Sequence, residues 1–352
     1  MRYVIDIPQN QSSAIEEVIK AGKYKNFAQF IITALENQIY IENTEINDDQ
    51  PSVTHIKENN ISLQQPREVN NEDNTRLKEI EGQRKVVSMP AFQSLVNLGD
   101  GLKEDHSWLW GQINRILPIK IGLRILYNEL GHEQWVDLEK YRDKAAEVAA
   151  ELGTRIKGYE DKKRKLRDEK ITAGLPETKG FKSRVRYKGQ FLAYMRKDGK
   201  LDGAMTHLKF VNLKKDEREY VLIGITEPGL QFAKIENPVM DNQDYERNLT
   251  EQEIDFYLSH IPKNVKCELN AITWLLSKVG GGVHNREDIN KKLKGEFGSI
   301  WKASDSVINT QRAGLMARMT ELRLIDREKE GINVKYKITK KGEEFLYKKE
   351  KN

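Results

Sequence analysis

A short skeleton occurs twice in this chain. Residues 223–232 read Ile223-Gly224-Ile225-Thr226-Glu227-Pro228-Gly229-Leu230-Gln231-Phe232, and residues 336–345 read Tyr336-Lys337-Ile338-Thr339-Lys340-Lys341-Gly342-Glu343-Glu344-Phe345. The shared pattern is x-Ile-Thr-x-x-Gly-x-x-Phe. Each copy closes a β-rich stretch and opens a helical one. The threonine stands where it can cap the new helix, and the aromatic residue can fold back on an apolar core. The same strand-to-helix exit in two places predicts one small α+β unit used twice.

The surroundings of the second copy are well punctuated. A first helix is expected over about 265–278, with Cys267, Leu269, Ile272, Leu275 and Leu276 inward. Gly280-Gly281-Gly282 breaks it. A second helix runs near Arg286–Leu293, and a third begins after Ser304 or Asp305, carrying Val307, Ile308, Leu315, Met316 and Leu322. A hairpin pairs Leu324–Arg327 with Val334–Thr339 around Gly331. Upstream of the first copy, helices are expected near 90–98, 106–116 and 118–131, then a long charged helical region over about 135–170. A loop around Gly174, Pro176 and Gly180 precedes a helix near 183–197. Strands at His207–Leu213 and Tyr220–Ile225 flank the charged tip Lys214–Arg218. Residues 241–263 read as a linker with a helix from Thr250, where Glu253 completes a capping-box spacing.

The two exits resemble those from the wing of a winged helix-turn-helix domain. The stretch Leu315-Met316-Ala317-Arg318-Met319-Thr320-Glu321-Leu322-Arg323-Leu324-Ile325 resembles the end of the recognition helix in MarR- and PadR-like regulators. The resemblance implies tandem winged-helix domains, at 86–240 and 264–352, that bind double-stranded DNA.

The N-terminus has its own pattern. Residues 2–8 alternate, with Tyr3, Ile5 and Ile7 on one face and Arg2, Val4 and Asp6 on the other, as in a half-buried strand. Ser12 or Ser13 caps a helix that ends at Gly22, and Asn26 caps a second with Phe27, Phe30, Ile31, Ala34, Leu35 and Ile39 along one stripe. So short a segment cannot bury a core alone. It resembles the ribbon-helix-helix family of Arc, MetJ and CopG. The resemblance implies a homodimerisation domain at 1–42 whose ribbon faces DNA with Arg2, Val4 and Asp6. Residues 43–85, rich in Asn, Glu, Asp and Gln, read as a flexible acidic linker. The predicted fold is therefore mainly α with small β hairpins (α+β): ribbon-helix-helix, flexible linker, tandem winged helices.

Charge agrees with a polyanion partner. Between residues 154 and 218 there are about 20 Lys and Arg against about 9 Asp and Glu, while 42–81 hold about 4 against about 10. The sole cysteine, Cys267, cannot form an intrachain disulfide, so a reducing cytoplasm is expected. The first residues are too polar for a signal peptide, and no apolar run is long enough to span a membrane.

Candidate DNA contacts lie off the apolar stripe of the last third helix: Asn309, Thr310, Gln311 and Arg312, with Arg318 about two turns on. In the first unit the corresponding helix offers Arg184, Arg186 and Lys188 for phosphates, with Phe191 and Tyr194 in the core. Lys214 and Lys215 on one wing and Lys335 on the other come next, together with Arg2 on the ribbon. Enzyme chemistry is not expected. There is no phosphate-binding Gly-x-x-x-x-Gly-Lys-Ser/Thr and no His-Glu-x-x-His. The histidines are scattered, so neither metal nor cofactor is predicted. Glu177-Thr178-Lys179 has a nuclease-like spacing, but Pro176 and Gly180 place it in a loop rather than on an apolar strand. Transcriptional regulation is the expected role. The alternatives are a protein-interaction scaffold and a DNA-maintenance factor.

Overall fold

The computed structural model describes residues 16, 19, 27, 30, 85–99, 101–165, 170–178, 180–330 and 333–350. The chain forms two units, Met1–Val69 and Asn70–Asn352. In the first, Glu16, Ile19, Phe27 and Phe30 are helical, within the two helices expected there. The expected strand at 2–8 with Arg2, and the expected linker up to residue 84, lie outside the described residues.

The second unit is mainly helical with small antiparallel sheets, an α+β fold. Helix α1 (Leu117–Leu130) carries Pro118 in its first turn, where a missing N–H leaves no bond unmade. Leu117, Ile119, Leu123, Leu126 and Leu130 are all buried, so α1 is apolar on most sides and sits inside the core. It packs on α2 (Leu138–Lys162) and α5 (Glu227–Lys234). Asp137, ending strand β1 (Val136–Asp137), caps α2 by accepting from Lys140 N at 2.8 Å. Strand β5 (Val221–Ile225) lies between β1 and β4 (Val211–Lys215), antiparallel to both. Between α2 and β4 come α3 (Phe181–Gln190), the small β2–β3 hairpin (Tyr194–Met195 with Leu201–Asp202) and α4 (Ala204–His207). After α5 follow α6 (Pro238–Asp241), α7 (Glu251–Asn264), α8 (Lys266–Gly280), α9 (Arg286–Phe297) and α10 (Asp305–Glu321). Strands β6 (Ile325–Glu330) and β7 (Asn333–Ile338) pair antiparallel and lead into α11 (Lys340–Glu350).

The repeated skeleton closes the same hydrogen-bonded circuit in both places. Helix α4 stops with Phe210 N on Met205 O (3.0 Å) and Lys209 N on Thr206 O (3.0 Å). Helix α10 stops with Leu324 N on Met319 O (2.9 Å) and Arg323 N on Thr320 O (3.1 Å). Both are Schellman stops, with Lys209 (φ 61°) and Arg323 (φ 56°) in left-handed backbone. After the hairpin, Thr226 Oγ1 donates to Lys209 O (2.7 Å) and accepts from Gly229 N (3.2 Å). Thr339 Oγ1 likewise donates to Arg323 O (2.7 Å) and accepts from Gly342 N (3.1 Å). Glycine is required at both final positions. A Cβ on Gly229 would stand 2.0 Å from Phe210 O, and one on Gly342 would stand 2.3 Å from Leu324 O.

This equivalence corrects the expected first unit. The helix that leads into its hairpin is α4, a four-residue helix with every side chain buried. Helix α3 ends at Gln190 rather than near 197, and β2–β3 intervene. The strand expected from His207 begins at Val211, because His207–Phe210 complete the stop of α4.

One further expectation fails, because of burial on more than one face. The helix expected over 106–116 does not form beyond a short turn at Glu104–His106. Ser107, Trp108, Leu109, Gly111 and Ile113 are all buried. A helix would have turned some of them outward, whereas an extended strap buries them against several elements at once. Trp108 sits in an aromatic nest, its ring 4.6 Å from Phe297, 5.1 Å from Trp301 and 5.2 Å from Trp274. Gly111 meets α10 at Gly314 so closely that a Cβ on Gly314 would lie 1.8 Å from Gly111 O. The expected linker helix, α7, is also a core element. Its capping box forms, with Thr250 N on Glu253 Oε2 at 2.8 Å and Glu253 N on Thr250 Oγ1 at 3.2 Å. The Glu253 carboxylate also pairs with Lys120 of α1 at 3.2 Å, both fully buried. Burial pulls the Lys120 ammonium down to about 8, against the opposing pull of Glu253. One continuous apolar cluster consequently runs from Leu98 to Tyr336, joining both halves.

Candidate nucleic-acid interface

Helix α10 starts where Ser304 Oγ accepts from Val307 N (3.4 Å). Its apolar side packs inward through Ile308, Leu315, Met316 and Met319. What remains outside is Asp305, paired with Lys294 of α9, and a stripe at helical spacing: Ser306, Asn309, Ala313 and Thr320 are exposed, and Ala317 is half-buried. Asn309 Oδ1 accepts from Asn290 Nδ2 of α9 at 2.7 Å. Thr310 is half-buried and returns its hydroxyl to Ser306 O (2.8 Å).

Two expected contacts leave the interface. Gln311 is 1% exposed, with Oε1 accepting from Gly111 N. Arg318 is also 1% exposed and forms a two-pronged pair with Glu268, Nε to Oε1 and Nη2 to Oε2 at 2.9 Å each. Its Nη1 donates to Ile113 O in the strap. The helical spacing that set Arg318 off the apolar stripe did not expose it, because the strap and α8 cover that side.

Arg312 behaves differently. Its Nε donates to Asn290 Oδ1 at 2.9 Å, and burial, with the Arg286 guanidinium nearby, lowers its pKa from the usual range despite the opposing effect of Tyr336. It lines a groove of about 670 Å³ together with Arg115, Arg286, Arg327, Tyr336 and Asn114. Four arginines and no carboxylate are among the lining residues. A second cavity of about 350 Å³ shares Asn114 and Ala313 with it, and holds Gln112, Gln190, Thr310 and Arg186. A third, of about 640 Å³, shares Gly174 and Arg186 with the second, and adds Lys170, Lys182 and Glu177. The three adjoin through these shared residues as a furrow, and its middle stretch lies between α10 and α3.

The remaining candidates are dispersed. Arg184 donates from Nη2 to Thr178 O at 2.8 Å, and Lys188 pairs with Asp143 of α2. Lys214 lies 4.5 Å over the Trp135 ring, and Lys215 pairs with Glu219. Lys335 is exposed on β7 opposite Glu328. Thus Thr310, Arg312 and Arg186 come together in the furrow, while Lys214, Lys215 and Lys335 sit on hairpins. Sequence reading missed Arg115, Arg286 and Arg327. Only Arg327 carried a local signal: alternation along β6 puts it on the face of buried Ile325, across from Tyr336. Arg115 and Arg286 are brought in by the strap and by α9.

Among the described residues no cluster of His, Cys, Asp and Glu could hold a metal ion, and no helix is long and apolar enough to cross a membrane. Burial pushes the Cys267 thiol up to about 12, so it stays protonated near neutral pH. No family model, curated protein or solved structure matches this chain.

Proposed function

We propose that this chain is a double-stranded DNA-binding protein acting as a dimeric transcriptional regulator. Two winged-helix units would form its body, and an N-terminal ribbon-helix-helix segment would join two copies. The observation that carries the reading is the open end of α10, where exposed Ser306 and Asn309 precede exposed Ala313, with Arg312 beside them. Small and amide side chains on an exposed helix can approach base edges: asparagine pairs with adenine, and alanine contacts the thymine methyl. Arginine beside them takes a phosphate. The order of three helices and a hairpin in α8, α9, α10 and β6–β7, with the same exit after β5, supports two related units. Lys214, Lys215 and Lys335 on the hairpins would add phosphate contacts.

Sedimentation of the full chain with a labelled mixed-sequence duplex at rising salt tests both parts. The expected result is a dimer whose duplex affinity falls steeply with salt. Asn309→Ala and Arg312→Glu should each weaken binding, the latter by about tenfold. A monomer that ignores the duplex at low salt would overturn the reading and favour a scaffold.

A further inference from the structure

We propose that the furrow between α10 and α3 seats a single unpaired DNA strand, such as a locally opened duplex presents. This rests on the reading of the chain as a nucleic-acid binder. Past Ala313, through Met316, Ala317 and Thr320, α10 does not stand proud of the surface. It is one wall of a groove whose other wall is Asn114, Arg115 and Ala173. A helix enters a major groove only if it projects, so this length of α10 is recessed from a duplex but open to something thinner.

The lining states what that is. Arg115, Arg286, Arg312 and Arg327 line the first cavity, and Lys170, Lys182 and Arg186 outnumber Glu177 in the third. The cavity that adjoins both is lined by the amides of Gln112, Asn114 and Gln190, with Arg186. Cations beside amides are the partners that phosphates and bases require. Asn114 Oδ1 and Gln190 Oε1 are buried and accept no hydrogen bond among the described residues. Buried acceptors left in that condition are costly, and N–H donors from a ligand would satisfy them. The amino and imino groups of bases are such donors, and their pairing edges are free only in an unpaired strand. Ala173, Gly174 and Ala313 keep the passage wide where the cavities meet. A cationic track with sites for unstacked bases is how single strands are held.

The test titrates the full chain with three labelled probes: a mixed-sequence single strand, its paired duplex, and the same duplex with an unpaired centre. The strand and the opened duplex should bind about tenfold or more tighter than the paired duplex. Arg186→Glu and Arg286→Glu, in different cavities of the furrow, should each lower strand affinity about tenfold. Gln190→Leu should lower it without changing charge, and Lys263→Glu, exposed on the last turn of α7 and outside the furrow, should not. Thermal melts check folding. If Arg286→Glu fails to fold, Arg186→Glu and Gln190→Leu decide. A paired duplex bound as tightly as the opened one would remove the furrow proposal and leave the proposed function standing. Failure to bind any probe would remove both.

Discussion

Two arginines on one helix show how far burial outranks spacing. Arg312 lines an open groove, whereas Arg318 is enclosed and spent on Glu268 and the Ile113 carbonyl. His260 is enclosed in the same sense. It stacks on Phe210 at 4.9 Å, its Nε2 donates to Leu208 O (2.8 Å), and its Nδ1 accepts from Asn264 Nδ2 (3.0 Å). Those partners suit the neutral ring with its proton on Nε2. Burial lowers its pKa below the ordinary value, against a smaller opposing effect of the Leu208 carbonyl. The unfolded chain therefore takes up this proton at a higher pH than the folded one. The contribution of His260 is complete above about pH 6.5 and is lost as pH falls below it. Urea midpoints measured at falling pH should drop more steeply for the natural chain than for His260→Gln, whose amide N–H can replace the Nε2 donor without titrating. Equal slopes would refute the assignment.

At the scale of elements, the exit motif is a closed circuit and not only a helix cap. Thr226 and Thr339 each tie a Schellman stop to the helix after the hairpin through one hydroxyl. The two differ in surroundings, since Thr226 is fully buried and Thr339 half-buried. Removing the hydroxyl leaves a carbonyl and an N–H without partners, and water reaches them more readily at the second site. Thr226→Ala should therefore cost more than Thr339→Ala, with about 1–2 kcal/mol expected for a lost cap. The serine variants should retain most of the stability. Chemical denaturation of the four variants checks this, and a larger cost at Thr339 would contradict the order.

For Asn70–Asn352 as a whole, the strap is what prevents two independent heads. Trp301 Nε1 donates to His106 O (2.7 Å), and Glu321 accepts from Ile116 N (2.5 Å) at the start of α1. A carboxylate at that position also suits the positive end of α1's dipole. Since Arg318 joins the strap to α8 and α10, its loss is felt in both halves. Arg318→Ala strands the Glu268 charge in the core, which costs about 3–5 kcal/mol. Replacing both partners by apolar residues of similar size should cost far less. Calorimetry should show one unfolding transition for this unit, shifted as a whole by Arg318→Ala. Two separable transitions would mean that the halves fold independently.

What the sequence determined by itself is local. The Thr-Gly spacing of the exits, the capping box at Thr250 and Glu253, and the apolar stripes of α8 and α10 depend on neighbours within a turn or two. Such neighbours are fixed by chain connectivity. The tertiary structure alone decided the rest. Trp108 is a strap residue because Trp274, Phe297 and Trp301 surround it, and Arg318 is structural because Glu268 faces it. Arg115, Arg286, Arg312 and Arg327 become one groove only when the two halves share a core. Periodicity says which residues can be covered together, whereas packing between distant segments decides what covers them.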